Sequence, residues 1–173
     1  MIALVPLASI APPAIDSLLD RAFGLDRRGR TAYRIRAGIS ALDELSFAAL
    51  GKEGELLGTI QCWPVELACD NGKAFPLVMV GPVAVEPDRQ QEGIGRALMD
   101  RMLDAVPGCS SRGCDSLMLV GDPEYYGRFF GFTAERTAEW RLPGPFESHR
   151  LLARGPRVPD CAGLLGPRSP RTA

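Results

Sequence analysis

The chain has 173 residues, 46% of them hydrophobic and 24% charged, with a net charge of -1. That length reads as one domain with a sizeable core of its own, and the near-zero charge argues against an electrostatic hold on nucleic acid or on an anionic membrane. The apolar N-terminus lacks a basic leader region and is broken by Pro6, Pro12 and Pro13, so it reads as neither a signal peptide nor a membrane span, and a cytoplasmic location is expected.

The cysteines are Cys62, Cys69, Cys109, Cys114 and Cys161, and His149 is the only histidine. With no Cys-x-x-Cys pair this is poor material for a metal, and free thiols in a reducing compartment are the expectation.

In chain order, Ile2 to Leu7 reads as a first strand. Pro12-Pro13 suits a helix start, with Ile15, Leu18, Leu19 and Phe23 as its apolar stripe. Asp26 to Gly38 carries Arg27, Arg28, Arg30, Arg34 and Arg36, which reads first as a solvated helix face.

Leu45 to Leu50, Leu56 to Leu67 and Ala74 to Val85 are β-like runs joined by two hairpin-type connections, an antiparallel meander. Pro82 falls inside the third run and cannot donate a ladder hydrogen bond, so an irregularity or a missing partner is expected there.

A helix follows from about Gly93 to Val106, with Ala97, Leu98, Met102 and Leu103 at helical spacing. Ser116 to Val120 is a run of parallel-strand type, which closes a βαβ unit. Asp122 is a good N-cap for a short helix with Pro123 at its first position and Tyr125, Tyr126, Phe129 and Phe130 along it. Core packing accounts for the phenylalanines; Gly131 ends the helix and Phe132 opens a strand. Arg136 to Leu142 and Ser148 to Ala153 read as the last strands. Beyond them Cys161 to Leu165 docks, and Pro167 to Ala173 has the composition of a disordered tail.

The strand-to-helix join is where the chemistry concentrates. Gly93 and Gly95 flank Ile94 at the first turn of a helix, so amides there can meet a phosphate without a Cβ in the way. The helix dipole adds positive charge at that end, and Arg89 and Arg96 bracket it. Gln90-Gln91-Glu92-Gly93-Ile94-Gly95 resembles the Gln/Arg-x-x-Gly-x-Gly/Ala acyl-CoA loop of the GCN5-related N-acetyltransferases (GNAT), and the preceding Gly81-Pro82-Val83-Ala84-Val85-Glu86-Pro87 is similar to that family's fourth strand. Gly121-Asp122-Pro123-Glu124-Tyr125-Tyr126 and the aromatic residues after it are similar to its distal helix, and the YhbS-like branch is the part of the family that the blocks resemble together.

The resemblance implies an α/β (α+β) fold: a mixed, mostly antiparallel twisted sheet of about seven strands, splayed between the fourth and fifth, with helices on both faces. Residues 1–154 would form the acyltransferase domain and 155–173 a C-terminal extension. It also implies an N-acetyltransferase that moves acetyl from acetyl-CoA to a primary amine by direct attack, with no metal. Val83, Ala84 and Val85 would hold the pantetheine arm and thioester carbonyl, and Gln90, Gln91, Glu92, Gly93, Ile94, Gly95, Arg96 and Ala97 the pyrophosphate, with Phe129 also against the coenzyme. Tyr126, and after it Tyr125, would protonate the departing thiolate. Tyr126 lies five residues before Gly131 where many relatives have four, which keeps alive a non-catalytic acetyl-CoA-binding or sensing module of the same fold.

The base stays open among Glu66, Glu86, Asp122 and a water chain. So does the acceptor, which is a small amine, an amino acid, an antibiotic or a protein N-terminus. The arginine segment after the first helix is one candidate for recognising an acidic acceptor. An exposed late strand offers a route to a homodimer. A dinucleotide-binding turn is disfavoured, because Leu98 stands where its third glycine would be.

Overall fold

The structure is a computed structural model that describes residues 1–168. Two compact units make up the chain: Met1–Gly29, Ala41–Cys62 and Val80–Ser110 in one, and Arg30–Ser40, Trp63–Met79 and the chain from Ser111 onward in the other. Among the described residues its strands join in one mostly antiparallel sheet of eight, against the about seven that the resemblance implies.

In the first unit, β1 (Ala3–Pro6) pairs antiparallel with β2 (Phe47–Leu50), which pairs antiparallel with the start of β3 (Leu56–Cys69). Helix α1 (Pro12–Phe23) begins on its two prolines, whose missing N–H groups cost nothing at a helix start, and stops at Gly24 with φ +96°. Its stripe behaves as the periodicity predicts: Leu18 and Leu19 are buried with Ala84, while Ile15, Ala22 and Phe23 pack around them.

Helix α3 (Ile94–Ala105) buries Ile94, Leu98, Met99 and Met102, a face rotated from the one read off the sequence, with Leu103 only half-buried. Each such side chain contributes roughly 1.5–3 kcal/mol of burial. Gly58 of β3 makes this packing close, since a Cβ there would lie 2.9 Å from both Ile94 Cγ2 and the Ala84 carbonyl oxygen.

The second unit holds α2 (Thr31–Ile35), the rest of β3, the start of β4 (Ala74–Val85), β5 (Leu117–Val120), α4 (Pro123–Phe130), β6 (Trp140–Arg141), β7 (Leu151–Arg154) and β8 (Gly163–Pro167). Strands β4 and β5 run parallel, matched at Val78–Leu117 and Met79–Met118, ahead of the cis Gly81–Pro82 bond. β7 is antiparallel to β5. Leu67, Leu77, Met118, Leu151 and Leu165, all fully buried, form the centre of this core with Trp140.

Several expectations are corrected here. The segment 161–167 does more than dock: β8 pairs antiparallel with Val65–Cys69 of β3 and parallel with β6. Pro167, expected in a disordered tail, closes that strand instead, and Arg168 donates to the Val65 and Leu77 carbonyls; the rest of that expected tail, 169–173, lies outside the described residues.

Phe132 is buried but opens no strand; only Thr133 makes an isolated bridge, to Ala153. The run Arg136 to Leu142 is strand over just two residues.

The thiols are also not free as expected. Cys69 and Cys161, 92 positions apart, form a disulfide that fastens the approach to β8 onto the end of β3; Cys109 and Cys114 are disulfide-bonded as well, leaving Cys62 as the free cysteine. Periodicity carries no information on which sulfurs meet.

Nor is the arginine-rich segment a uniformly solvated face. Arg27 is 2% exposed and reaches Asp20 at 2.9 Å and Asp16 at 3.3 Å within the first unit. Within the second, Arg36 is 6% exposed, its guanidinium 3.9 Å from the ring centre of Tyr33 and 4.2 Å from that of Trp63. A flat, weakly hydrated cation can be buried on aromatic faces in a way an ammonium cannot.

Candidate active site

The turn singled out in the sequence is built as a helix N-terminus left open. After β4 the chain makes a 3-10 turn over Pro87–Arg89, and Gly93 then takes a left-handed conformation, φ +80° and ψ 12°, directly ahead of α3. A Cβ on Gly93 would meet nothing within 4 Å, so the glycine is needed for its backbone angle, not for room inside the fold. No side chain caps the helix and no acidic residue stands in its first turn. Amides at that end point outward in the field of the helix dipole, the arrangement that suits a phosphate.

The structure narrows the set of amides. Ala97 N–H donates to Gly93 O at 3.0 Å and Glu92 N–H to Arg89 O at 3.4 Å, so both are spent inside the chain. Those of Ile94 and Gly95 belong to the first helical turn, where N–H groups have no intrahelical acceptor. Gly95 packs this turn down on β4, where an added Cβ would sit 3.6 Å from Val85 and 3.7 Å from Val83, ordinary contact distances.

Arg89, expected to lend the turn a full charge, gives it instead to Glu92: its Nε donates to the Glu92 carboxylate. That bond, with the opposite charge of Arg89 adding to it and desolvation opposing, holds the Glu92 carboxyl below the usual carboxylate range. Gln90, Gln91, Glu92, Gly93 and Arg96 are all exposed at this rim.

Upstream, the strand itself is polarised. Glu86 N–H donates to Leu57 O at 2.8 Å, and the Ala84 carbonyl faces Gly58, so alternate residues of β4 address β3. By the alternation of an antiparallel ladder, Val83 and Val85 turn their N–H and C=O groups to the opposite edge. Ala84, buried under α1, contributes packing.

Glu86 and Asp122, two of the carboxylates considered as bases, have defined partners. Glu86, read as a solvated loop residue, accepts from Nε and Nη2 of Arg21, each at 2.9 Å. Asp122 accepts from Glu124 N–H at 3.0 Å as the N-cap of α4, as its position suggested. Glu66 is half-buried on β3 opposite Gly166. Nothing in the sequence flagged Arg21, whose partner lies 65 positions away.

In the second unit, α4 ends at Gly131 with φ +73°. Tyr126 sits against Gly121, where a Cβ would come within 2.5 Å of its ring, and packs near Phe130 and Phe132 at 6.1 and 6.5 Å between centroids. Burial first, then Tyr125 and Asp122 against the opposing pull of Arg150, pushes its phenol above the usual tyrosine range, so it stays protonated at neutral pH. Tyr125 stands edge-on to Tyr126 at 5.0 Å and to Phe129 at 5.4 Å. Phe129 is 40% exposed, so core packing does not account for it, in contrast to Phe130 at 3%.

The sequence from residue 13 to residue 133, an open helix turn after an irregular strand and then an aromatic helix, matches the family model described as an acetyltransferase (GNAT) domain. The chain belongs to the GNAT acetyltransferase family.

The GNAT fold is shared with solved structures over nearly the whole chain. YhbS of Escherichia coli, a GNAT family N-acetyltransferase solved in complex with CoA, is 24% identical with a TM-score of 0.67, covering 97% of this chain and 89% of that one. A GNAT family acetyltransferase from Brucella melitensis, solved in complex with acetyl-CoA, is 24% identical with a TM-score of 0.66, covering 98% and 97%. No curated protein matches the sequence. Among the described residues no helix is long and apolar enough to cross a membrane.

Proposed function

We propose that this protein is an N-acetyltransferase that uses acetyl-CoA to acetylate a primary amine directly, without an acyl-enzyme. The observation that carries the reading is the α3 N-terminus: a left-handed, open-faced Gly93 ahead of a first helical turn with neither cap nor acid. The CoA and acetyl-CoA held by the two solved GNAT relatives support the same ligand.

In this reading the amides of Gln91, Gly93, Ile94, Gly95 and Arg96 bind the pyrophosphate. The free edge at Val83 and Val85 pairs with the pantetheine arm, and Val85 N–H polarises the thioester carbonyl. The neutral amine nitrogen attacks the carbonyl carbon; the C–N bond forms as the C–S bond breaks, and the electron pair leaves on sulfur. Tyr126, with Tyr125 second, donates a hydrogen bond to that sulfur and water takes the proton lost by the amine, since Glu86 and Asp122 are already engaged. An unperturbed phenol near pKa 10 giving its proton to a thiolate near 8.5 is uphill by about 2 kcal/mol, so Tyr126 stabilises developing charge more than it completes a transfer.

The packing of Tyr126 under Gly121 favours the second reading, an acetyl-CoA sensor of the same fold. Turnover separates the two. The purified protein is incubated with acetyl-CoA and a panel of amines while free CoA thiol is followed. Amine-dependent thiol release supports the enzyme; acetyl-CoA binding without release for any amine supports the sensor; no binding removes both.

A further inference from the structure

Within the second unit, at the entry to β5, an open groove of about 600 Å³ is lined by the apolar Phe75 and Pro76 together with Arg112, Asp115 and Arg157. We propose that this groove is a second ligand site, which takes a small organic anion with an aromatic or apolar body, a carboxylate or a phosphate ester.

The charge balance points to the sign of the ligand. Arg157 reaches Asp115 at 3.0 Å, so those two offset each other. Arg112 and Arg168 make no ion pair among the described residues. Arg168 is half-buried and held by neutral acceptors, donating from Nε to Val65 O at 3.2 Å and from Nη2 to Leu77 O at 2.6 Å. Its guanidinium pKa is lowered by burial and then by the like charge of Arg112, with Glu66 opposing. Two cations near each other, one of them partly desolvated, leave an excess of positive potential that an anion would relieve. An arginine fork suits carboxylate or phosphate, and the Phe75–Pro76 wall suits an apolar body. The volume is that of an ordinary small-molecule site.

The floor is built, not incidental. Gly113, at φ +86°, lies so close to the β4 backbone that a Cβ would come within 2.8 Å of Pro76 C and 2.9 Å of Arg168 Nη2. Ser116 then ties the segment to the sheet, accepting from Val78 N–H at 2.9 Å and donating its own N–H to Gly113 O at 2.9 Å. Arg112 therefore stands beside a backbone fixed to the parallel β4–β5 pair.

The test is a titration of the full chain with phenyl phosphate, read by the ¹H–¹⁵N shifts of the Gly113 and Ser116 amides, with and without excess CoA. This readout is local and does not depend on the acetyltransferase reading. Saturable shifts that CoA does not abolish are expected. Arg112→Gln, an exposed change, should weaken them about tenfold, and Arg157→Gln should weaken them too by unmasking Asp115. Asp115→Asn should tighten binding. No saturation by about 10 mM, or an affinity unchanged in Arg112→Gln, overturns the proposal. Inorganic phosphate binding as tightly as phenyl phosphate overturns the apolar half of the assignment.

Discussion

The Arg21 guanidinium and the Glu86 carboxylate meet fork to fork, with Nε and Nη2 both at 2.9 Å from a carboxylate oxygen. The pair joins the last turn of α1 to the residue at which β4 gives way to the Gly93 turn. Arg21 is 48% exposed, so the pair is worth no more than about 1 kcal/mol of stability. Its positional effect should be larger. Arg21→Met is expected to leave the melting temperature within a few degrees of the parent while raising the KM for acetyl-CoA several-fold; an unchanged KM would remove Glu86 as a fixed point of the turn.

Gly93 and Gly95 should respond oppositely to alanine. At φ +80° a Cβ costs roughly 1–2 kcal/mol however much room surrounds it. At Gly95 the Cβ makes only ordinary contacts with Val83 and Val85, and alanine gains up to about 1 kcal/mol of helix propensity. Chemical denaturation is expected to show Gly93→Ala destabilised and Gly95→Ala neutral or stabilised. Gly93→Glu should also abolish the thermal shift by acetyl-CoA, which in the parent reaches about 2.7 kcal/mol at a hundredfold excess over Kd.

Tyr126→Phe keeps the ring that fills the space beside Gly121 and removes only the hydroxyl. Loss of a hydrogen bond to the departing sulfur should lower kcat by about tenfold to a hundredfold with little change in KM. The pH dependence follows from the raised pKa. The unfolded chain's phenol ionises first, near pH 10, so Tyr126 contributes stability that is fully present below that pH and lost as pH rises through the higher folded value. Alkaline unfolding curves of parent and Tyr126→Phe should therefore agree at pH 7–9 and diverge above about 10, with the parent falling faster. Coincident curves would mean the phenol is not shifted.

The sulfur chemistry can be counted directly. Cys62 is the one free cysteine and fully buried, and burial pushes its thiol well above the usual range. A thiol reagent is expected to find essentially nothing in the native protein, one thiol after denaturation, and five after denaturation with reductant. Cys161→Ser opens a loop of 92 positions, and by the chain-entropy account the loss is up to about 4.6 kcal/mol. A melting temperature unchanged in that variant would mean that β8 holds to β3 without the bond.

Local information carried much of this protein. Pro12-Pro13 and Gly24 delimit α1, Asp122 and Gly131 delimit α4, and Gly93 starts α3, because caps and positive-φ glycines act within a few residues of themselves. The same locality made the turn legible, and the Gln90–Gly95 pattern, together with the Gly81–Pro87 strand block and the distal Tyr125–Tyr126 block, resembled the family before any fold was in hand.

Pairings between distant residues were decided only in three dimensions. Arg21 meeting Glu86, Arg36 lying between Tyr33 and Trp63, Cys69 joined to Cys161, and Gly163–Pro167 adding to β3 are each set by which elements the sheet brings side by side. An arginine's composition and period are identical whether water or an aromatic ring receives it. Burial and charge compensation are properties of the assembled neighbourhood, and for that reason the tertiary structure, not the sequence pattern, determined which arginines are structural and which face the groove beside Phe75.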